Sequence, residues 1–153
     1  MILEMMMERL ENTKKFKVIN RLNKWINLTP TLIASLIDIT VTIIHQPKEY
    51  WERNLNKANE GNPIGAILMA NHVWGIFLVS GIWIILILVL GYYLPYKISK
   101  HFLLFALIAH SYGASTWISP RYGFWSAMVL ILFNTITYLT ANDIIYKRLK
   151  ESS

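Results

Sequence analysis

Four stretches of this chain are so long and so apolar that a small water-soluble domain could not bury them all. They run over Leu28–Ile44, Ile64–Leu94, Phe102–Ile118 and Phe124–Ile145. A helical membrane crossing needs about 20 mostly apolar residues, with about 17 as the lower limit. The first and third runs lie near that limit, and the first is interrupted by Asp38. The second exceeds one crossing, so it is expected to tilt or to continue beyond the bilayer as helix. The pattern predicts an all-α fold, an integral membrane bundle of four transmembrane helices. Its organisation is a leader over 1–27, a membrane domain over 28–146 with spans at about 28–45, 64–94, 102–118 and 124–145, and a tail over 147–153. Composition agrees: 54% of the 153 residues are hydrophobic and 16% charged, against about 45–50% and about a quarter in soluble domains.

The basic residues orient the bundle. Arg9, Lys14, Lys15, Lys17, Arg21 and Lys24 precede the first span, Lys97 and Lys100 join the second to the third, and Lys147, Arg148 and Lys150 follow the fourth. The other side carries only Lys48, Arg53, Lys57 and Arg121. Positive loops stay inside, so both termini are expected in the cytoplasm of a multi-pass cell-membrane protein. Tyr50, Trp51, Trp117, Tyr122 and Trp125 then mark the outer interface, and Trp25, Tyr92, Tyr93, Tyr96 and Tyr146 the inner one. The positive net charge is scattered outside the apolar runs without a long basic block, which argues against a nucleic-acid partner and leaves the lipid bilayer as the expected one. There is no cysteine, which excludes disulfides, thiolate metal sites and cysteine nucleophiles. Residues 1–27 lack the apolar core and small-residue cleavage site of a signal peptide, so the first span is expected to remain as an anchor. In the leader, Phe16, Ile19, Leu22 and Ile26 recur at helical spacing opposite Lys14, Lys17, Arg21 and Lys24, either as an amphipathic helix on an anionic leaflet or as a solvated helix. A helix start is expected at Pro30, and Ser119–Gly123 is expected to turn the third span back as the fourth.

Polar residues inside the spans carry what function the pattern can specify. Thr31, Ser35, Asp38, Thr42 and His45 recur at steps of four and three, so they draw one stripe along the first span. An acid at that depth faces a bundle interior or a water-filled cavity. His72 in the second run and His110 in the third are expected at the level of Asp38, roughly 12–14 Å below the outer boundary at about 1.5 Å per residue. Small neighbours, Gly75 beside His72 and Ala106 and Gly113 beside His110, would turn both rings inward. Ser126 and Asn134 could join from the fourth span. Two histidines and a carboxylate can hold a divalent metal such as zinc or iron with positions open to water, and Glu60 would stand above them as an acid or base. Asp38 and Glu60 are therefore the candidate catalytic groups, and Asp38, His72 and His110 the candidate metal ligands. Ser35, Thr42, His45 and Asn62 are read as structural polar residues, with Asn62 capping a helix that opens on Pro63.

The segment Asp38-Ile39-Thr40-Val41-Thr42, followed by Glu60-Gly61-Asn62-Pro63, resembles an uncharacterised family of small prokaryotic multi-pass membrane proteins. The similarity covers roughly residues 32–75. It implies a fold type and marks Asp38, Glu60 and Asn62, but brings no activity. Three functions stay open: a scaffold or component of a membrane complex, which includes a homo-oligomer; a metal binder or metal-dependent membrane enzyme with an outward-facing site; and proton or ion translocation through Asp38 and the histidines. No phosphate-binding or nucleophile-elbow motif selects a reaction.

Overall fold

The structure is a computed structural model that describes residues 2–151, with side chains described from Asn20 onward. Six α-helices follow one another: α1 (Ile2–His45), α2 (Lys48–Trp51), α3 (Pro63–Asn71), α4 (Gly75–Tyr93), α5 (Tyr96–Tyr122) and α6 (Phe124–Glu151). A 3-10 turn over Leu55–Lys57 separates α2 from α3. Among the described residues there is no strand. Four helical segments, Asn20–His45, α4, α5 and α6, are long and apolar enough to cross a membrane. The amphipathic pattern expected before Asn20 falls on side chains outside the described set.

Helices α1 and α5 form the central pair. Each touches α4, α6 and the other, whereas α4 and α6 do not meet among the described residues. The section is therefore a rhombus, with α4 and α6 at its far corners. This explains why polar residues concentrate on α1 and α5, whose side chains have protein on several sides. One apolar cluster, Leu28, Ile87, Leu103 and Ala106, joins α1, α4 and α5 toward the end that carries the termini. The outward faces of α4 and α6 present Leu78, Ile85, Val129, Leu132 and Ile136 to the surroundings, as a helix solvated by acyl chains should.

The structure departs from the sequence pattern at three places. Helix α1 passes straight through Pro30 instead of starting there, and the Thr29 hydroxyl donates to the Trp25 carbonyl in the preceding turn (3.0 Å). The turn between the third and fourth spans is shorter than Ser119–Gly123: α5 runs through Pro120 to Tyr122, and Gly123 alone separates it from α6. Its φ of 86° and ψ of 162° lie in a region open essentially only to glycine.

The third departure has the largest consequence. The apolar run 64–94 is two helices, broken at His72, Val73 and Trp74. Helix α3 has nine residues, a length of roughly 14 Å, which is too short to cross. Several local bonds hold the break. The Trp74 N–H donates to the His72 Nδ1 (3.1 Å), and the Tyr50 hydroxyl donates to the Val73 carbonyl (2.7 Å). A Cβ on Gly75 would sit 2.7 Å from the Met69 nitrogen, so α4 starts hard against the backbone of α3. Tyr50, Met69 and Ile76 form a second buried cluster at this junction. Two bonds close the loop before it: Gln46 Nε2 donates to the Asn59 carbonyl (2.7 Å), and the Asn59 N–H donates to Gln46 Oε1 (3.0 Å).

Candidate functional site

Asp38 on α1 and His110 on α5 meet between the two central helices. His110 Nδ1 lies 2.8 Å from Asp38 Oδ2. A carboxylate can only accept, so the ring donates through Nδ1 whether it is neutral or protonated. The side chains keep only 12% (His110) and 19% (Asp38) of their exposure, so the bond is largely shielded from competing solvent. Gly113, nearly one turn beyond His110, makes room for the acid. A Cβ there would stand 2.8 Å from both carboxylate oxygens and 3.0 Å from Cγ. Trp83 of α4 presents its ring edge-on to His110, with centroids 6.2 Å apart. Three spans therefore converge on the pair.

Glu60, in the loop before α3, lies near enough to Asp38 to feel its charge. Burial raises its carboxyl above the ordinary range first, and the negative charge of Asp38 adds to the rise, against the Asn62 N–H, which lowers it. That N–H donates to Glu60 Oε1 at 2.7 Å. Asn62 Oδ1 in turn accepts from the Ile64 N–H (3.0 Å), so Asn62 is the N-cap of α3 with Pro63 as the first helical residue. Gly65 lies against the Glu60 side chain, where a Cβ would meet Cγ at 2.8 Å.

The rest of the stripe on α1 faces protein. Thr31 donates to the Leu103 carbonyl of α5 (2.9 Å), and Ser35 is fully buried. His45 Nδ1 lies 2.7 Å from the Val41 carbonyl and Nε2 lies 3.1 Å from the Tyr122 hydroxyl, with the ring stacked on Trp117. Thr42 is half-buried. The stripe also continues toward the N-terminus, where Asn23 and Asn27 are buried. Their spacing of four to one another and to Thr31 was a usable signal, hidden because both precede the apolar run that opens at Leu28. From α6, Asn134 donates through Nδ2 to Ser111 Oγ (2.8 Å), and Ser111 donates to the Leu107 carbonyl (2.7 Å). The Ser126 hydroxyl donates to the Tyr122 carbonyl of its own hairpin (2.8 Å).

The expected three-ligand site does not assemble. His72 caps α3 in an extended conformation (φ −161°, ψ 146°) and is exposed, so it leaves the level of Asp38 and His110. A shared depth requires an unbroken helix from Ile64, and the chain breaks at His72 instead. Among the described residues, no three His, Asp or Glu side chains come close enough to hold a metal. What the site offers chemically is one carboxylate–imidazole pair able to share a proton, with a second carboxyl within electrostatic reach of Asp38. Compared with protein-family models, curated proteins and solved structures, the chain matches none.

Proposed function

We propose that this protein is a non-enzymatic component of a membrane complex, a four-span bundle with both termini in the cytoplasm. The observation that carries this reading is the engagement of Asp38 and His110 with each other across α1 and α5. An acid placed at a membrane interior to bind a ligand would keep an open face; this one is closed by the imidazole on one side and Gly113 on another. Thr31 and the Asn134–Ser111 pair extend the same use of polar atoms, as fasteners between spans. The resemblance carried by Asp38, Thr42, Glu60 and Asn62 fits this reading, since it spans the residues that join α1 to α3. The test is the mass of the particle extracted in a mild detergent, by light scattering, with its metal content. A particle heavier than one chain and free of stoichiometric metal supports the proposal. A single chain carrying one metal ion overturns it.

Proton translocation is a second reading, favoured by one observation. Buried polar residues run along α1 from Asn23 to Ser35, and three buried polar atoms, Asn23 Oδ1, Ser35 Oγ and Asn134 Oδ1, have no partner among the described residues. Such atoms call for water. Acidification of proteoliposomes under an imposed potential, abolished by Asp38→Asn, would establish that activity; equal rates in both proteins would remove it.

A further inference from the structure

The break between α3 and α4 shapes a hollow of about 340 Å³ lined by Trp51, Arg53, His72, Val73, Trp74 and Phe77. Its polar rim is built from two groups that donate. His72 Nδ1 is occupied by the Trp74 N–H (3.1 Å), so the ring's proton sits on Nε2, the nitrogen left for an outside acceptor. Arg53 has no ion-pair partner among the described residues; its neighbour Glu52 is taken by Lys48 at 3.3 Å.

The backbone at Arg53 adds an independent observation. Its φ is +73°, and among the described residues it is the only non-glycine in that region. The position follows the C-cap Glu52 of α2, with the Arg53 N–H donating to the Tyr50 carbonyl (3.0 Å), a place where glycine or asparagine usually ends a helix. An arginine there gains nothing from its backbone, so its use points to the side chain.

The hollow also has a direction. Arg53 and His72 lie outside the spans, Trp74 immediately precedes α4, and Phe77 lies one turn within it. Phe77 packs against both Trp51 and Trp74, with centroids 6.2 and 5.1 Å away. A cationic rim above an aromatic wall that descends into the apolar layer matches a lipid with its phosphate at the rim and its glycerol and acyl carbons on the wall. We infer that this hollow binds the phosphate headgroup of an anionic phospholipid in the leaflet opposite the chain termini. The site rests on the membrane placement proposed above but not on membership of a complex.

Native mass spectrometry of the detergent-solubilised protein, titrated with phosphatidylglycerol, tests the assignment. The control is phosphatidylcholine with the same acyl chains. The wild type is expected to retain one more phosphatidylglycerol than phosphatidylcholine per chain. Arg53→Gly keeps the backbone conformation and removes the guanidinium, and is expected to weaken that binding at least fivefold while its thermal midpoint stays equal or rises. His72→Asn keeps an acceptor for the Trp74 N–H but loses the ring donor, and is expected to weaken binding in the same direction. Equal retention of the two lipids, or unchanged retention in both variants, overturns the proposal. Displacement of the lipid by millimolar inorganic phosphate would assign the rim to a free anion and overturn the lipid as its occupant. A particle of one chain that still shows the lipid preference would sink the complex reading alone.

Discussion

Gly113→Ala is the smallest change that should disturb the pair at the centre of the bundle. The added methyl would stand 2.8 Å from both Asp38 oxygens and 3.0 Å from Cγ, closer than real Cβ contacts, and the only chain end there to yield is the short Asp38 carboxylate itself. The carboxylate must move, and it is tied to His110 at 2.8 Å. Overpacking of this kind costs about 1–3 kcal/mol, and a strained or broken interhelical bond in a membrane adds about 0.6–1.7 kcal/mol. Alanine returns up to about 1 kcal/mol of helix propensity. The net expectation is a loss of roughly 1–3 kcal/mol. Gly81 supplies the matched control: it is also inside a span, and a Cβ there meets nothing within 4 Å. Its alanine variant should be neutral or up to about 1 kcal/mol more stable. Unfolding in mixed detergent micelles, followed by tryptophan fluorescence, reads both. If Gly113→Ala proves as stable as Gly81→Ala, the close approach at Asp38 is not what the geometry says it is.

Glu60 holds its proton more tightly in the folded protein than in the unfolded chain, because burial and the charge of Asp38 raise its carboxyl above 4.5. Its contribution to stability should therefore fall as pH rises from 4.5 through the raised folded value; Glu60→Gln should flatten that part of the profile, and an unchanged slope would refute the assignment. Tyr50→Phe removes the donor to the Val73 carbonyl and the acceptor beside the Ile76 N–H, with an expected loss of about 1–3 kcal/mol and faster hydrogen exchange at residues 72–76. Gly123→Ala forces a side chain into the one-residue turn at φ 86° and should cost about 1–3 kcal/mol in the same unfolding assay.

The four spans were legible because an apolar run of that length has few other fates, and hydropathy reports it directly. The stripe on α1 was legible for a related reason: steps of four and three define a helix face whatever lies opposite. The pairing of Asp38 with His110 followed from depth, since α1 is unbroken from Asp38 to its end at His45 and α5 from His110 to its end at Tyr122. His72 failed the same arithmetic. The features that break the run at 72–74 are a tyrosine hydroxyl from α2, a ring nitrogen taking a backbone proton, and a glycine against a neighbouring turn. None alters hydropathy, and the first is a tertiary contact that no local pattern encodes. Asn23 and Asn27 were missed for the opposite reason: their spacing continued the stripe, but their polarity placed them in the leader. The donor rim at Arg53 and His72 could not be anticipated at all, because 18 residues of chain lie between its two members and only the break turns His72 toward the loop.

The central claim is that Asp38 and His110 serve each other, fastening α1 to α5. A double-mutant cycle on unfolding in micelles measures this directly, with Asp38→Ala, His110→Ala and the double variant. Mutual service predicts coupling of about 1 kcal/mol or more, with the double variant no less stable than the worse single one, because each single change strands a shielded polar group. Additive effects, within about 0.3–0.5 kcal/mol, would contradict it and would mean that the two side chains work on something other than one another.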